Sequence, residues 1–331
     1  MGMDGGNSKT ICVIADGTGR VLGVGRSGNG NHQNGVEEMK ANVNRALDEA
    51  LAAAGVGRAD IAAACIGLAG ADRPADYEIL NPIAAAMGLR RVQVVCDTYI
   101  GLRAGADRPH GVVLVCGAGT NAMGRNLRGE EFQLGGFGYR YGDFGGGLIL
   151  SEEAFRAVIR ADEGRAEPTQ LTRRVLERLG YASVEAMKHD FLDRDLQVPV
   201  HLVMALFQAA REGDAAAIGL LERQGEELAM SAKAVIGKLG MGGETFPVVL
   251  VGSILTRAQG EPWTIRPLKE ALAKLAPKAW IVKLDVEPVI GAVLAAMDGA
   301  GHELSPEQSR SLRSQLAIRN EQEELPCPTS P

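Results

Sequence analysis

One pattern occurs twice in this chain and restricts its fold more than any other feature. Near the N-terminus a short apolar strand enters the glycine turn Asp4-Gly5-Gly6-Asn7-Ser8-Lys9-Thr10. TICVIAD follows as a second strand, and after the turn Asp16-Gly17-Thr18-Gly19 the run RVLGVGRSG makes a third. In the middle of the chain the same grammar restarts. GVVLVC runs into Gly117-Ala118-Gly119-Thr120-Asn121, NAMGRN returns as a strand, and EEFQLGG follows a Leu127–Glu130 turn. Each set predicts a three-stranded antiparallel meander opened by a glycine hairpin. The repeat lies in topology rather than in residue identity, so the chain reads as two α/β halves of one design.

Helix and strand signals alternate after each meander. VEEMKANVNRALDEALAAAG places Val36, Met39, Val43, Leu47, Ala50, Leu51 and Ala54 at helical spacing, with Gly55 as the stop. ADIAAACIGLAG reads as a fourth strand, Ala75 to Met87 as a helix ended by Gly88, and RVQVVCD as a fifth strand. In the second half a mainly helical stretch covers Gly145 to Gly240. A strand at PVVLVGSIL, a helix from Arg266 to Leu275, a strand at WIVKLDV and a last helix from Val289 to Gly299 follow. From Gly301 the chain turns polar, and residues 301–331 are expected to form a mobile or surface tail.

Charge and composition exclude several classes. Lys and Arg number 35 against 41 Asp and Glu, without a basic block, which argues against nucleic acid as the main partner. The longest nearly apolar run, Ile61 to Ala71, is far short of the ~18 residues of a membrane span. The N-terminus has neither a charged leader nor an apolar signal core, so a cytoplasmic protein is expected. Cys12, Cys65, Cys96 and Cys116 each lie within a strand-like run and are read as small buried hydrophobes, with Cys327 incidental in the tail. His110, His189, His201 and His302 form no histidine–carboxylate or metal-ligand pattern. Gly23-Val24-Gly25-Arg26-Ser27-Gly28 matches G-x-G-x-x-G, but it follows no strand–helix context and is set aside.

Glycine is abundant, 43 residues of 331, and clusters at the ends of apolar runs, where backbone approaches a ligand or adopts positive φ. In the first hairpin Gly5 and Gly6 expose backbone N–H groups to an anion. Asn7 lies in the same turn, Ser8, Lys9 and Thr10 add hydroxyls and a cation, and Asp4 suits a magnesium ion held through water. The second hairpin, Gly117, Ala118, Gly119, Thr120 and Asn121, occupies the equivalent place, so the pair can grip a polyphosphate from two sides. Asp97 ends an apolar strand and precedes a helix. It either takes a proton from a substrate hydroxyl or caps that helix. Gly135 to Gly147 carries seven glycines around Phe137 and Asp143, fitting either a sugar-binding loop or a lid. Asn31 and His32 follow the third strand, and Asp72 and Arg73 the fourth, each as substrate contacts or as loop and cap residues. Gly252-Ser253 ends PVVLV and reads as a close-approach turn facing a nucleoside or as a plain strand-to-helix turn.

Taken together, DGGNSKT, GNGNH, GLAGADRPAD, CDTYIGL, GAGTN, GGFGYRYGD and LVGSI resemble the BadF/BadG/BcrA/BcrD ATPase family of the actin-like superfamily. Within it the chain is similar to the N-acetylglucosamine kinase branch, over about residues 1–298. The resemblance implies an α/β protein of two ribonuclease H-like domains hinged around a nucleotide and sugar cleft. The first is expected at about 1–108 with 289–299 packing back on it, the second at about 109–287. It also implies ATP with Mg²⁺, transfer to the 6-hydroxyl of an amino sugar, a possible homodimer, and Asp97 as the base. The phosphate loops would be Asp4–Thr10 and Gly117–Asn121, with Gly252 and Ser253 at the adenosine. Asn31, Gly136, Phe137, Gly138 and Asp143 would contact the sugar. Asn7 replaces the third loop glycine of the family, and Phe137 stands where tryptophan is common. N-acetylglucosamine is the expected substrate, with glucosamine or N-acetylmuramic acid as alternatives. An ATPase that activates a dehydratase through a subunit-bridging iron–sulfur cluster, and a chaperone-like nucleotide module, are the competing classes.

Overall fold

The computed structural model describes residues 1–256 and 262–317. The first half contains β1 (Gly2–Gly5), β2 (Thr10–Ala15), β3 (Val21–Ser27), α1 (Val36–Ala54), β4 (Ala64–Leu68), α2 (Pro74–Ala86), β5 (Val92–Cys96) and α3 (Asp97–Gly105). The second begins with β6 (Gly111–Cys116), β7 (Thr120–Arg125) and β8 (Glu131–Gly135). Five helices follow: α4 (Gly147–Asp162), α5 (Leu171–Leu179), α6 (Val184–Asp193), α7 (Val203–Arg211) and α8 (Ala215–Leu239). Then come β9 (Pro247–Val251), α9 (Ser253–Thr256), α10 (Ile265–Leu275), β10 (Trp280–Lys283), α11 (Val289–Gly299) and α12 (Pro306–Gln315).

The two sheets have one topology. The first runs β3-β2-β1-β4-β5 and the second β8-β7-β6-β9-β10, so each meander is extended by two strands parallel to its first. Register puts Gly5 opposite Thr10 and Cys116 opposite Thr120, which leaves both glycine turns as hairpin tips.

α1 shows how local sequence builds this frame. Met39, Val43, Ala46, Leu47, Ala50 and Leu51 form its buried face, and Gly55 ends it in the left-handed region at φ 68°. A Cβ on Gly23 or Gly25 would run into the backbone carbonyls of Ala50 and Ala46. The glycines of the discarded G-x-G-x-x-G match therefore serve helix-on-sheet packing.

α3 and α11 lie in a core that draws on both sheets. Ile100, Val289, Ile290 and Val293 share it with Ile11 and Val13 of the first sheet and Val113, Val249 and Val251 of the second. Contact is close because glycines remove side chains. A Cβ on Gly291 would strike the Ile100 carbonyl, one on Gly105 the Val249 side chain, and one on Gly2 the Val293 amide.

Two expectations need correction, and between two stated alternatives the structure decides a third. The fourth strand starts only at Ala64. The residues before it form a 3-10 turn at Arg58–Asp60, because the Asp60 carboxylate accepts the Gly57 amide at 2.8 Å and competes with extended pairing. Of the two readings of the tail, mobile or surface, its first part takes the second, as a docked surface helix. Ser305 and Gln308 cap α12 reciprocally at 3.2 and 2.8 Å, Leu312 is fully buried, and Gln315 accepts the Val21 amide at 2.9 Å. His110 does pair with a carboxylate, Glu244, at 2.8 Å. Cys12, Cys65, Cys96 and Cys116 are buried. Burial pushes the thiols of Cys12, Cys65 and Cys116 up to about 12 and that of Cys96 well above its ordinary value. Cys327 lies outside the described residues, among which no helix is long and apolar enough to cross a membrane.

Candidate active site

β1, β4 and β5 run parallel, so their C-terminal ends share one edge of the first sheet, and each end or following turn brings a carboxylate there. Asp4 comes from β1, Asp72 from the turn after β4, and Asp97 from the first residue of α3. Cys96 holds the capping position of α3, and the Asp97 carboxylate beside it accepts the Thr98 amide of the first turn. Burial raises the Asp97 pKa, and the charge of Asp72 adds to the rise. Burial, then the charge of Asp97, pushes Asp4 up to about 7 against the opposing pull of Lys9. Neither oxygen of Asp4 accepts a hydrogen bond from a described residue. A half-buried carboxylate without donors, crowded by a second one, fits a cation.

Much of the first hairpin is occupied within the fold. Thr10 is fully buried and its hydroxyl donates to the Gly28 carbonyl at 2.9 Å, while the Gly30 amide donates to Gly6 O at 2.8 Å. Asn7 Oδ1 accepts from Asn31 Nδ2 at 2.8 Å, and Asn31 Oδ1 accepts the Gln33 amide at 2.9 Å. Lys9 pairs with Glu287 at 2.9 Å instead of standing free. Ser8 is exposed, and a Cβ on Gly6 would meet only Lys9 O at 3.5 Å. Thr10, Asn7 and Asn31 thus fasten the turn to the loop after β3, and Gly6 and Ser8 present its open face.

In the second hairpin a Cβ on Gly117 or Gly119 would meet nothing within 4 Å. The back of the turn is held by α4, whose Gly147 and Leu148 amides donate to Gly117 O and Ala118 O at 2.8 and 3.0 Å. Gly252, at φ 99°, lies against the Cys116 carbonyl and the Gly117 amide, where a side chain has no room. The Gly252-Ser253 turn therefore sits on the hairpin, and Ser253 is the exposed first residue of α9.

The glycine-rich segment after β8 is pinned by its own carboxylate. Asp143 Oδ2 accepts the Phe137 and Gly138 amides at 2.7 and 2.6 Å, and Oδ1 accepts no bond from a described residue. A Cβ on Gly136 would sit 2.7 Å from the Asn121 amide, so this loop backs directly onto the second hairpin. Phe137 is 44% exposed and meets Tyr141 edge to face at 6.5 Å.

Asp72 ties the two sheets together. Its Oδ1 accepts from Gln133 Nε2 at 2.5 Å, Cys96 Sγ at 3.3 Å and Asn121 Nδ2 at 3.4 Å. The cap of α2 belongs instead to Asp76, which accepts the Arg73 amide at 2.8 Å and is held down to about 2 chiefly by the Arg73 guanidinium. His32 is buried, with Nε2 3.3 Å from Asp76, and its Nδ1 is buried without a partner among the described residues. Gln133 and Cys96 are the site residues that sequence reasoning missed. Gln133 sits mid-strand without a motif, and Cys96 looks like any strand-interior cysteine.

The model of the BadF/BadG/BcrA/BcrD ATPase family matches residues 1–296. An N-acetylmuramic acid/N-acetylglucosamine kinase of Clostridium acetobutylicum is 27% identical, over 89% of this chain and 97% of that protein. An N-acetyl-D-glucosamine kinase of Dictyostelium discoideum is 27% identical, over 90% of this chain and 97% of that protein. Among solved structures, a chain from Chromobacterium violaceum assigned as an N-acetylglucosamine kinase superposes with TM-score 0.66 at 25% identity, covering 88% of this chain and 96% of its own. With two sheets of one topology, the fold is the two-domain actin-like fold of sugar kinases.

Proposed function

The chain belongs to the BadF/BadG/BcrA/BcrD ATPase family, and on that premise we propose that it is an ATP-dependent amino-sugar kinase. The reaction is transfer of the ATP γ-phosphoryl group to the 6-hydroxyl of N-acetylglucosamine, giving the 6-phosphate and ADP. The observation that carries this reading is the placement of Asp97: a carboxylate at the parallel strand ends that also bring up Asp4 and Asp72, with a pKa raised by burial and a charge felt by Asp4. Its class is the one a general base needs, since a base titrating nearer neutrality accepts a proton more effectively.

In this mechanism the triphosphate lies between the open faces of Asp4–Thr10 and Gly117–Asn121, with the nucleoside against Gly252 and Ser253. Mg²⁺, held by Asp4 through water, would neutralise charge on the phosphates when bound. Asp97 orients the sugar 6-hydroxyl and takes its proton as the new O–P bond forms and the bond to ADP breaks. The sugar is held by His32, Asp72 and the backbone of Gly136 and Gly138, with the second amide hydrogen of Asn31 and the free Oδ1 of Asp143 taking ring hydroxyls. Phe137 covers an apolar face of the ring. Each sugar hydroxyl left unpaired on burial would cost roughly 1–3 kcal/mol, which explains the density of polar groups. We place the division between the two units near residues 108 and 109, with 289–299 belonging to the first. Closure of the units would exclude water and suppress hydrolysis of ATP.

A coupled ADP-release assay with N-acetylglucosamine, glucosamine, N-acetylmuramic acid, glucose and no sugar tests the proposal. N-acetylglucosamine is expected to give the highest kcat/KM. A lead of more than tenfold for glucosamine or glucose would overturn the acetamido assignment, and ADP release indifferent to every sugar would overturn the kinase.

A further inference from the structure

The Cys96 thiol lies 3.3 Å from Asp72 Oδ1 and 3.3 Å from Asp97 Oδ1. A thiol carries one hydrogen and can serve only one of these acceptors at a time. Burial, reinforced by the two carboxylates, keeps that thiol protonated. Which carboxylate receives the hydrogen follows from the other donors. Asp72 Oδ1 already accepts the Gln133 amide at 2.5 Å and the Asn121 amide at 3.4 Å. The Thr98 hydroxyl donates to Gln133 Oε1 at 3.4 Å, which fixes the Gln133 NH₂ toward Asp72. Asp97 accepts the Thr98 amide of its own helix and, besides the thiol, no side-chain donor among the described residues.

We propose that Cys96 is the positioning residue of the base. With Asp72 supplied by Gln133 and Asn121, the thiol donates to Asp97 Oδ1 and leaves Oδ2 to face the sugar hydroxyl. The thiol keeps its hydrogen throughout, and the proton of the sugar goes to Oδ2. Gln133 and Asn121 come from the second sheet, whereas Cys96, Asp72 and Asp97 come from the first strands and helix of the other. The orientation of the base therefore depends on both sheets meeting at Asp72. This inference rests on Asp97 being the base of the kinase proposed above.

The test compares Cys96→Ala, Cys96→Ser and Gln133→Ala in the full chain, varying sugar and ATP separately and recording thermal unfolding of each variant. Cys96→Ala should lower kcat about three- to tenfold, the worth of one hydrogen bond, with both KM values nearly unchanged. Cys96→Ser retains a donor and should recover to within about twofold of the wild type on the same ground. A packing role orders the two variants the other way, because alanine keeps an apolar fit while serine buries a hydroxyl. Gln133→Ala should lower kcat, and the Cys96→Ala/Gln133→Ala double variant should be no slower than Cys96→Ala alone, since both act through one hydrogen bond. Wild-type kcat in Cys96→Ala, a serine variant slower than the alanine one, or additive losses in the double variant would each overturn the inference while leaving the kinase standing. A wild-type protein that phosphorylates no sugar would remove the premise itself.

Discussion

Asp4 and Asp97 share one electrostatic field: after burial, the charge on Asp97 is the largest cause holding the Asp4 carboxyl at about 7. Two half-buried carboxylates held together, Asp4 without a hydrogen-bond donor among the described residues, cost the empty protein stability, and the cost is set by pH. Asp4 binds its proton more tightly in the folded chain than in the unfolded one. Its contribution is fully present below about pH 4, the unfolded value, and is lost as pH rises through about 7.

The first prediction follows from that sign. Asp4→Asn should raise the unfolding temperature more at pH 8 than at pH 5, while weakening binding of magnesium–nucleotide. Unfolding scans at the two pH values, with and without the nucleotide, check both parts. An equal shift at both pH values would mean that Asp4 carries no strained charge.

The second prediction concerns chemistry alone. Asp97→Asn should lower sugar phosphorylation ~10²–10⁴-fold, the usual loss for a general base, with little change in stability. The amide keeps the acceptor for the Cys96 thiol but cannot take a proton. Near wild-type turnover in a stable variant would leave Asp97 without a catalytic part.

The glycines divide into two kinds with opposite readouts. Gly119→Val points into open space, so its stability should stay within ~0.5 kcal/mol of the parent, as for a surface change, while ATP affinity falls sharply. Gly291→Ala meets the Ile100 carbonyl and should cost ~1–3 kcal/mol or more through overpacking. Calorimetric titration of ATP and of sugar, with denaturant unfolding, separates the two. A Gly119→Val variant that loses sugar binding equally would point to misfolding instead.

A fourth prediction tests the docked tail. Leu312→Ala should destabilise by ~2–5 kcal/mol, because its side chain is fully buried in the core that holds Val286 and Val289. Urea unfolding measures this directly, and a change under ~0.5 kcal/mol would return the segment to the surface.

How far the sequence revealed this molecule depends on the range of each interaction. α1 was legible because its apolar spacing and Gly55 are local, and the two hairpins because each turn carries its own glycines. α12 was missed for the opposite reason. Its composition is polar and Leu312 is its one buried residue, although Ser305-Pro306-Glu307-Gln308 is a capping signal that could have been read. Within the candidate site, the placement of Asp4, Asp97 and the hairpin glycines at strand ends was legible. The pairing of Lys9 with Glu287 and of Gln133 with Asp72 was not, since nothing in either segment indicates a partner so distant in the chain. Thr10, Asn7 and Asn31 illustrate a further limit. Residue type announces hydrogen-bonding capacity, but only the fold shows that the capacity is already used.

The position of α11 has a consequence for synthesis. Residues 1–108 leave the ribosome long before Val289–Gly299 exists, yet that helix covers Gly2, Ile11, Val13 and Cys65 of the first sheet. About 180 residues separate the two segments, which at ~5–20 residues per second leaves that face uncovered for roughly 10–40 s. The N-terminal half is therefore made first and completed last. During that interval its apolar face is exposed, the condition in which nascent chains are prone to aggregate.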